Sequence, residues 1–148
     1  MADQPVTLDH ARIRLGQEVV TLADRLGLGV SGAAWFLDQE SQTWVLELAT
    51  PLVDSPGPAW IYGRLAAILQ KVPLPAGVSL VELRLASPGE ALWRVISAAY
   101  HVGQSALQMS GNLVNGMLLP DMVLYRALRA SPGQPEAFER RYRELVSA

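Results

Sequence analysis

Cysteine is absent from this 148-residue chain, lysine occurs only as Lys71, and histidine only as His10 and His101. Without cysteine there can be no disulfide staple, no thiolate nucleophile and no cysteine-ligated zinc or iron–sulfur centre. Two histidines leave few ways to build a nucleophilic triad or a metal site. No Gly-x-Ser-x-Gly elbow, His-x-x-x-His pair, His-x-x-Glu-His pair or EF-hand loop is present. His10 sits near an expected helix start and His101 near a helix end, positions that suit surface or capping roles.

Charge is also scarce. Charged residues make up 18% of the chain, below the usual quarter, and the net charge is −2. That balance lacks the basic excess of a nucleic-acid binder. The late arginines, Arg126, Arg129, Arg140, Arg141 and Arg143, are interleaved with Glu136, Glu139 and Glu144, as on a solvated helix face with i,i+4 pairs. Residues 95–120 contain no Asp, Glu, Lys or Arg, but His101, Gln104, Gln108, Asn112 and Asn115 make this run too polar for a membrane span. Residues 1–5 lack the basic and apolar regions of a signal peptide. The expectation is a soluble, cytoplasmic bacterial protein with no membrane partner, no nucleic-acid partner and no cofactor.

Phosphate-cradling loops are missing too. Gly27-Leu28-Gly29-Val30-Ser31-Gly32 is glycine-rich, but it follows a helix and precedes a strand, the reverse of a dinucleotide fingerprint.

What is present speaks of architecture. The length fits one domain, 1–148, with half of its residues apolar. Ser-Pro-Gly occurs at Ser55-Pro56-Gly57, Ser87-Pro88-Gly89 and Ser131-Pro132-Gly133. Each copy follows a strand-like stretch and precedes helical spacing, so each reads as a helix start with Ser as cap and Pro in the first turn. Ser87 with Glu90 has the spacing of a capping box.

Leu8, Ala11, Leu15, Val19, Leu22 and Leu26 form a helical stripe over 8–26, with Thr7 as its cap and Gly27 as its stop. Segments 33–38 and 43–50 read as a hairpin in which Trp35 and Trp44 pair across strands. Helices follow over 59–72, from the second Ser-Pro-Gly to about 101, and over 135–146. A strand is expected over 78–86 and β structure over 106–128. In that last region Asn115-Gly116 is a type I′ hairpin signal, and Pro120-Asp121 suggests a bulge or an edge. The order is α-ββ-α-β-α-ββ-α. The expected class is α+β with α/β-like character: one mixed sheet of about five strands with helices packed on it. The α-ββ-α-β-α part resembles restriction-nuclease-like cores, which pair an Asp with Glu-x-Lys. Glu82-Leu83-Arg84 puts a permanently protonated Arg where a base is needed, which argues against that chemistry.

The functional expectation is a non-enzymatic protein–protein interaction module or assembly subunit, homodimeric or bound to another protein. Its candidate contact residues are Asp54, Trp60, Tyr62, Asn115, Asp121 and Tyr125. They combine turn positions beside proline with aromatics able to anchor a partner. One alternative is a small enzyme using Glu47, Asp54, Glu82 or Asp121 with His101 or Tyr125, which requires these groups to converge. The other is a small-ligand domain with an apolar pocket between sheet and helices.

Overall fold

The structure is a computed structural model that describes residues 8–75, 82–103 and 105–147. Helix α1 spans His10–Arg25. The strands β1 (Gly32–Asp38) and β2 (Thr43–Ala49) follow, then a 3-10 turn at Pro51–Val53 and helix α2 (Pro58–Ile68). Next come β3 (Leu83–Ala86) and α3 (Ala91–Ala99). Four short strands complete the β structure: β4 (Leu107–Met109), β5 (Leu113–Val114), β6 (Met117–Leu118) and β7 (Met122–Ala127). Helix α4 (Pro135–Ser147) closes the order.

The fold is α+β. A mixed five-stranded sheet has the order β3-β2-β1-β7-β4. Only β2 and β3 run parallel, joined through α2; the other pairings are antiparallel. The β5–β6 hairpin is a separate two-stranded ribbon. The late β region therefore supplies two strands to the main sheet and sets the Asn115-Gly116 turn outside it.

Strand alternation divides the core. Ala33, Trp35, Leu46, Leu48, Leu83, Leu85, Val123 and Tyr125 face α1, α2 and α4. Ala34, Phe36, Ala49, Ala86, Met122 and Leu124 face α3 and the ribbon. The register shifts between Ala33 and Ala34, which pair with Arg126 and Leu124, so Tyr125 is the extra residue of a bulge. This bulge lies four residues beyond the expected Pro120-Asp121 position. It turns two successive residues toward α1: the Tyr125 hydroxyl donates to the Ile13 carbonyl, and Arg126 makes two 2.8 Å bonds to Asp24.

In the first two Ser-Pro-Gly segments the serine does not cap the helix that follows. Gly57, with φ 117°, occupies the cap position of α2 and makes no side-chain bond. Glu90 occupies that of α3, while the Ser87 hydroxyl accepts the Gly89 N–H at 3.0 Å. The first two segments thus make tight turns that end the preceding segment, and each of the three helices begins three or four residues after the serine. At α1, Asp9 is the cap, accepting the Arg12 N–H at 2.8 Å. The proposed cap Thr7 lies outside the described residues, as do positions 78–81 of the expected third strand.

The buried stripe of α1 is also displaced from the expected one. Gly16, Val19, Val20 and Ala23 are buried, whereas Ala11 is exposed and Leu15 and Leu22 are half-buried. Gly16 explains the offset. A Cβ there would lie 2.3 Å from the Tyr125 hydroxyl and 2.4 Å from Trp35 Nε1, so the helix crosses the sheet where it has no side chain. The helix then stops at Gly27, φ 77°, with the Leu28 N–H reaching back to the Ala23 carbonyl at 3.1 Å.

Candidate functional site

Helix α3 and the β5–β6 ribbon cover the second face of the sheet. Beneath them is a buried charge. Glu47, 3% exposed, projects from β2 into this otherwise apolar layer. Arg84 Nε on the adjacent parallel strand donates to its Oε1 at 2.5 Å, and Trp93 Nε1 from α3 donates to its Oε2 at 2.7 Å. Both carboxylate oxygens are therefore satisfied, which burial of an ion demands. Gly32 makes the space: a Cβ there would fall 2.5 Å from the Trp93 ring. Phe36 meets the same ring edge-on at 5.6 Å. This trio ties β2, β3 and α3 together.

The ribbon stands on this layer. Val114 and Met117 pack against it, and Leu107, Met109, Tyr100 and Val102 pack beside them. Three polar links hold the base. The Asn112 amide donates to the Tyr100 hydroxyl at 3.0 Å, the Leu119 N–H to the Asn112 carbonyl at 2.8 Å, and the Ser110 hydroxyl to Asp121 at 2.8 Å. Asn115 and Gly116 take φ 49° and 78°, the positive values of a type I′ turn. The two-residue turn fixes the register, Val114 opposite Met117 and Leu113 opposite Leu118. Since Val114 and Met117 face inward, Leu113 and Leu118 face water as a pair, each 69% exposed. Leu128, beyond the end of β7, is 58% exposed.

The six candidate contact residues fall in different places. Asn115 is at the exposed tip of the ribbon and Asp121 at its base. Asp54, Trp60 and Tyr62 lie on the α2 side of the sheet. Asp54 is exposed in the turn after Pro51–Val53. Trp60 is half-buried against the chain's own α4, with its ring 5.6 Å from Phe138 and the Arg64 guanidinium 4.1 Å above it. Arg64 also bonds Glu139 at 2.5 Å, and this pairing holds the Glu139 carboxyl below the usual carboxylate range despite some desolvation. The Tyr62 hydroxyl accepts the Leu85 N–H at 3.0 Å. Tyr125 is 8% exposed beneath α1, and burial pushes its hydroxyl up to about 12, with the adjacent Trp35 indole opposing. That indole nitrogen lies close to the hydroxyl without a well-aligned bond. Trp35 and Trp44 are not direct cross-strand partners either: Trp35 pairs with Leu46 and Trp44 with Leu37.

The carboxylates of the enzyme alternative do not converge. Glu82 is bonded to Arg12, Glu47 to Arg84 and Trp93, and Asp121 to Ser110. Asp54 and His101 are exposed at separate turns. Among the described residues, no cluster of three His, Asp or Glu side chains is placed to hold a metal ion, and no helix is long and apolar enough to cross a membrane. Among the late arginines, Arg126 pairs with Asp24, Arg141 with Glu144 and Arg143 with Glu139.

Sequence reasoning missed two features whose signals were present. Glu47 and Arg84 both lie opposite the leucine stripes of their strands, the pattern of an ion pair across neighbouring strands. A two-residue turn at Asn115-Gly116 dictates that Leu113 and Leu118 share a face. No protein-family model, curated protein or solved structure matches the chain.

Proposed function

We propose that this chain is a non-enzymatic protein–protein interaction module, a subunit that contacts its partner through the β5–β6 ribbon. The observation that supports this most is the Leu113–Leu118 pair. Single exposed leucines are ordinary on protein surfaces. Here two stand directly opposed on a hairpin closed by a two-residue turn, within a stretch, 95–120, that carries no charged side chain. An exposed leucine pair on a hairpin without ionic groups suits burial against another protein.

The alternatives have less support. The enzyme reading needs convergence, and its groups are dispersed and engaged elsewhere. The ligand-pocket reading needs an apolar internal space: the apolar cavity between α1 and α2, lined by Leu22, Leu69 and Leu74 among others, measures about 20 Å³, about the space one water needs, and the larger hollows, of about 450 and 530 Å³, are open grooves lined mostly by polar and charged side chains.

Affinity purification from the native host, read by mass spectrometry, tests the proposal with wild type beside a Leu113→Ser/Leu118→Ser variant. The expected result is a protein, either another chain or an untagged copy of this one, retained in stoichiometric amount by the tagged wild type and lost from the variant. Identical recovery by both, or recovery of nothing by either, contradicts it.

A further inference from the structure

Helix α4 is held more thinly than the other helices. In α1, Gly16, Val19, Val20 and Ala23 are buried, and β7 bonds it at Ile13 and Asp24. In α2, Ile61, Leu65 and Ile68 are buried; in α3, Trp93 and Ile96 are, with the Trp93 bond to Glu47 added. Among the thirteen residues of α4 only Phe138 is buried, while Tyr142, Leu145 and Val146 are half-buried. The helix takes no part in the sheet. Its first turn approaches Gly27, where a Cβ would fall 3.2 Å from the Ala137 backbone. The segment that leads into it, 128–134, is exposed at every position and belongs to no helix or strand.

Against this thin apolar contact, one side chain of α2 makes several. Arg64 Nε donates to Glu139 at 2.5 Å, and the guanidinium lies 4.1 Å from the Trp60 ring and 5.2 Å from the Tyr142 ring. Arg64 therefore touches an aromatic on each helix and bonds a carboxylate of α4. We propose that α4 is a releasable cover: it opens from α2 as a unit, hinged at 128–134, while the sheet and the other helices stay folded, and Arg64 is the side chain that holds it closed. Segments open at a cost set by the contacts they lose. Opening α4 breaks no strand pairing and withdraws one buried side chain. It bares the Trp60 ring and the Arg64 guanidinium, which Phe138, Glu139 and Tyr142 cover when α4 is closed. Once undocked, a helix of this length is marginal in water, so its amides exchange. This device is separate from the ribbon and stands or falls independently of the interaction reading.

Hydrogen exchange of the full chain, followed by mass spectrometry over a series of sub-denaturing urea concentrations, tests it. In the wild type, amides of 139–146 are expected to exchange together, at least about tenfold faster than those of β1, β2 and β7 relative to their intrinsic rates, and with a shallower urea dependence, because opening exposes less surface than global unfolding. Arg64→Met keeps an apolar stem beside Trp60 and removes the charge. It speeds exchange in α4 about tenfold, and in the sheet by no more than that factor, since global unfolding loses the same contact. Arg143→Met removes an exposed second partner of Glu139 and changes α4 exchange less than about twofold. Exchange in α4 with the rate and urea slope of the sheet overturns the proposal, and so does a gradient running inward from 146 that leaves 139–142 as slow as the sheet, which is end fraying. These wild-type results decide the point even if Arg64→Met fails to fold. A folded Arg64→Met with unchanged α4 exchange, or an equal effect of Arg143→Met, overturns the role of Arg64.

Discussion

The Trp93 indole donates to the Glu47 carboxylate at 2.7 Å, joining α3 to a strand 46 positions earlier in the chain. Arg84 bonds the other oxygen from the solvent side and is itself half exposed. The indole is therefore the donor that water cannot readily replace. Trp93→Phe keeps most of the packing against Gly32 and Phe36 and removes that donor. Urea unfolding is expected to show a loss of about 1–3 kcal/mol, the cost of leaving a buried acceptor unpaired. In the Trp93→Phe background, Glu47→Gln recovers part of that loss, because a neutral amide tolerates burial better than a charge.

Two glycines in helix interiors predict opposite outcomes for one substitution. Gly16 lies against the Tyr125 hydroxyl and the Trp35 indole, where an added Cβ falls well inside contact distance. Gly16→Ala pushes α1 off the sheet and lowers stability by about 1–3 kcal/mol, the usual range for overpacking. Gly63, in α2, has nothing within 4 Å of its added Cβ. Gly63→Ala raises stability by about 0.5–1 kcal/mol through helix propensity and a less flexible unfolded chain. Thermal melts of the two variants check both signs.

These two glycines also show where sequence reading loses its grip. The existence, order and type of the main elements were legible, because strand alternation and helix periodicity are properties of local runs. The type I′ turn at Asn115-Gly116 was legible for the same reason. The rotation of α1 was not. Leu8, Leu15 and Leu22 draw the eye to one stripe, yet the tightest contact is made by a residue with no side chain, and hydropathy does not register an absence. The bulge at Tyr125 depends on what pairs with β7, which no local pattern encodes. Trp60 and Tyr62 look like anchors for a partner, but each is engaged within its own chain, one by Phe138 and Arg64 and the other by Leu85. Only tertiary structure separates an aromatic left for a partner from one already used.

Tyr125 predicts an alkaline effect. Its hydroxyl titrates at about 12 in the folded protein against 10.0 for an ordinary tyrosine, because burial disfavours the phenolate. The folded pKa is the higher one. The contribution to stability is thus complete below pH 10 and is lost as pH rises from about 10 through about 12. The decline amounts to on the order of 2 kcal/mol relative to Tyr125→Phe, which lacks the titrating group. Urea unfolding at pH 8 and pH 11 for both proteins measures it: the wild-type curve falls more steeply.

Leu113 and Leu118 contribute little to the folded monomer, since each is mostly in water. Leu113→Ser/Leu118→Ser therefore changes the unfolding free energy by less than about 1 kcal/mol. A much larger loss would assign these side chains to the core of the monomer and leave no surface for a partner.

Site-specific photo-crosslinking tests the central claim most directly. A photoreactive side chain at position 113 is irradiated in cells of the native host, with the same group at position 140 on the outer face of α4 as control. A discrete crosslinked product from position 113 that position 140 does not give is the predicted result, whether the captured protein is a second copy or another chain. Equal, diffuse labelling from both positions, or no product from 113, would contradict the ribbon as a contact surface.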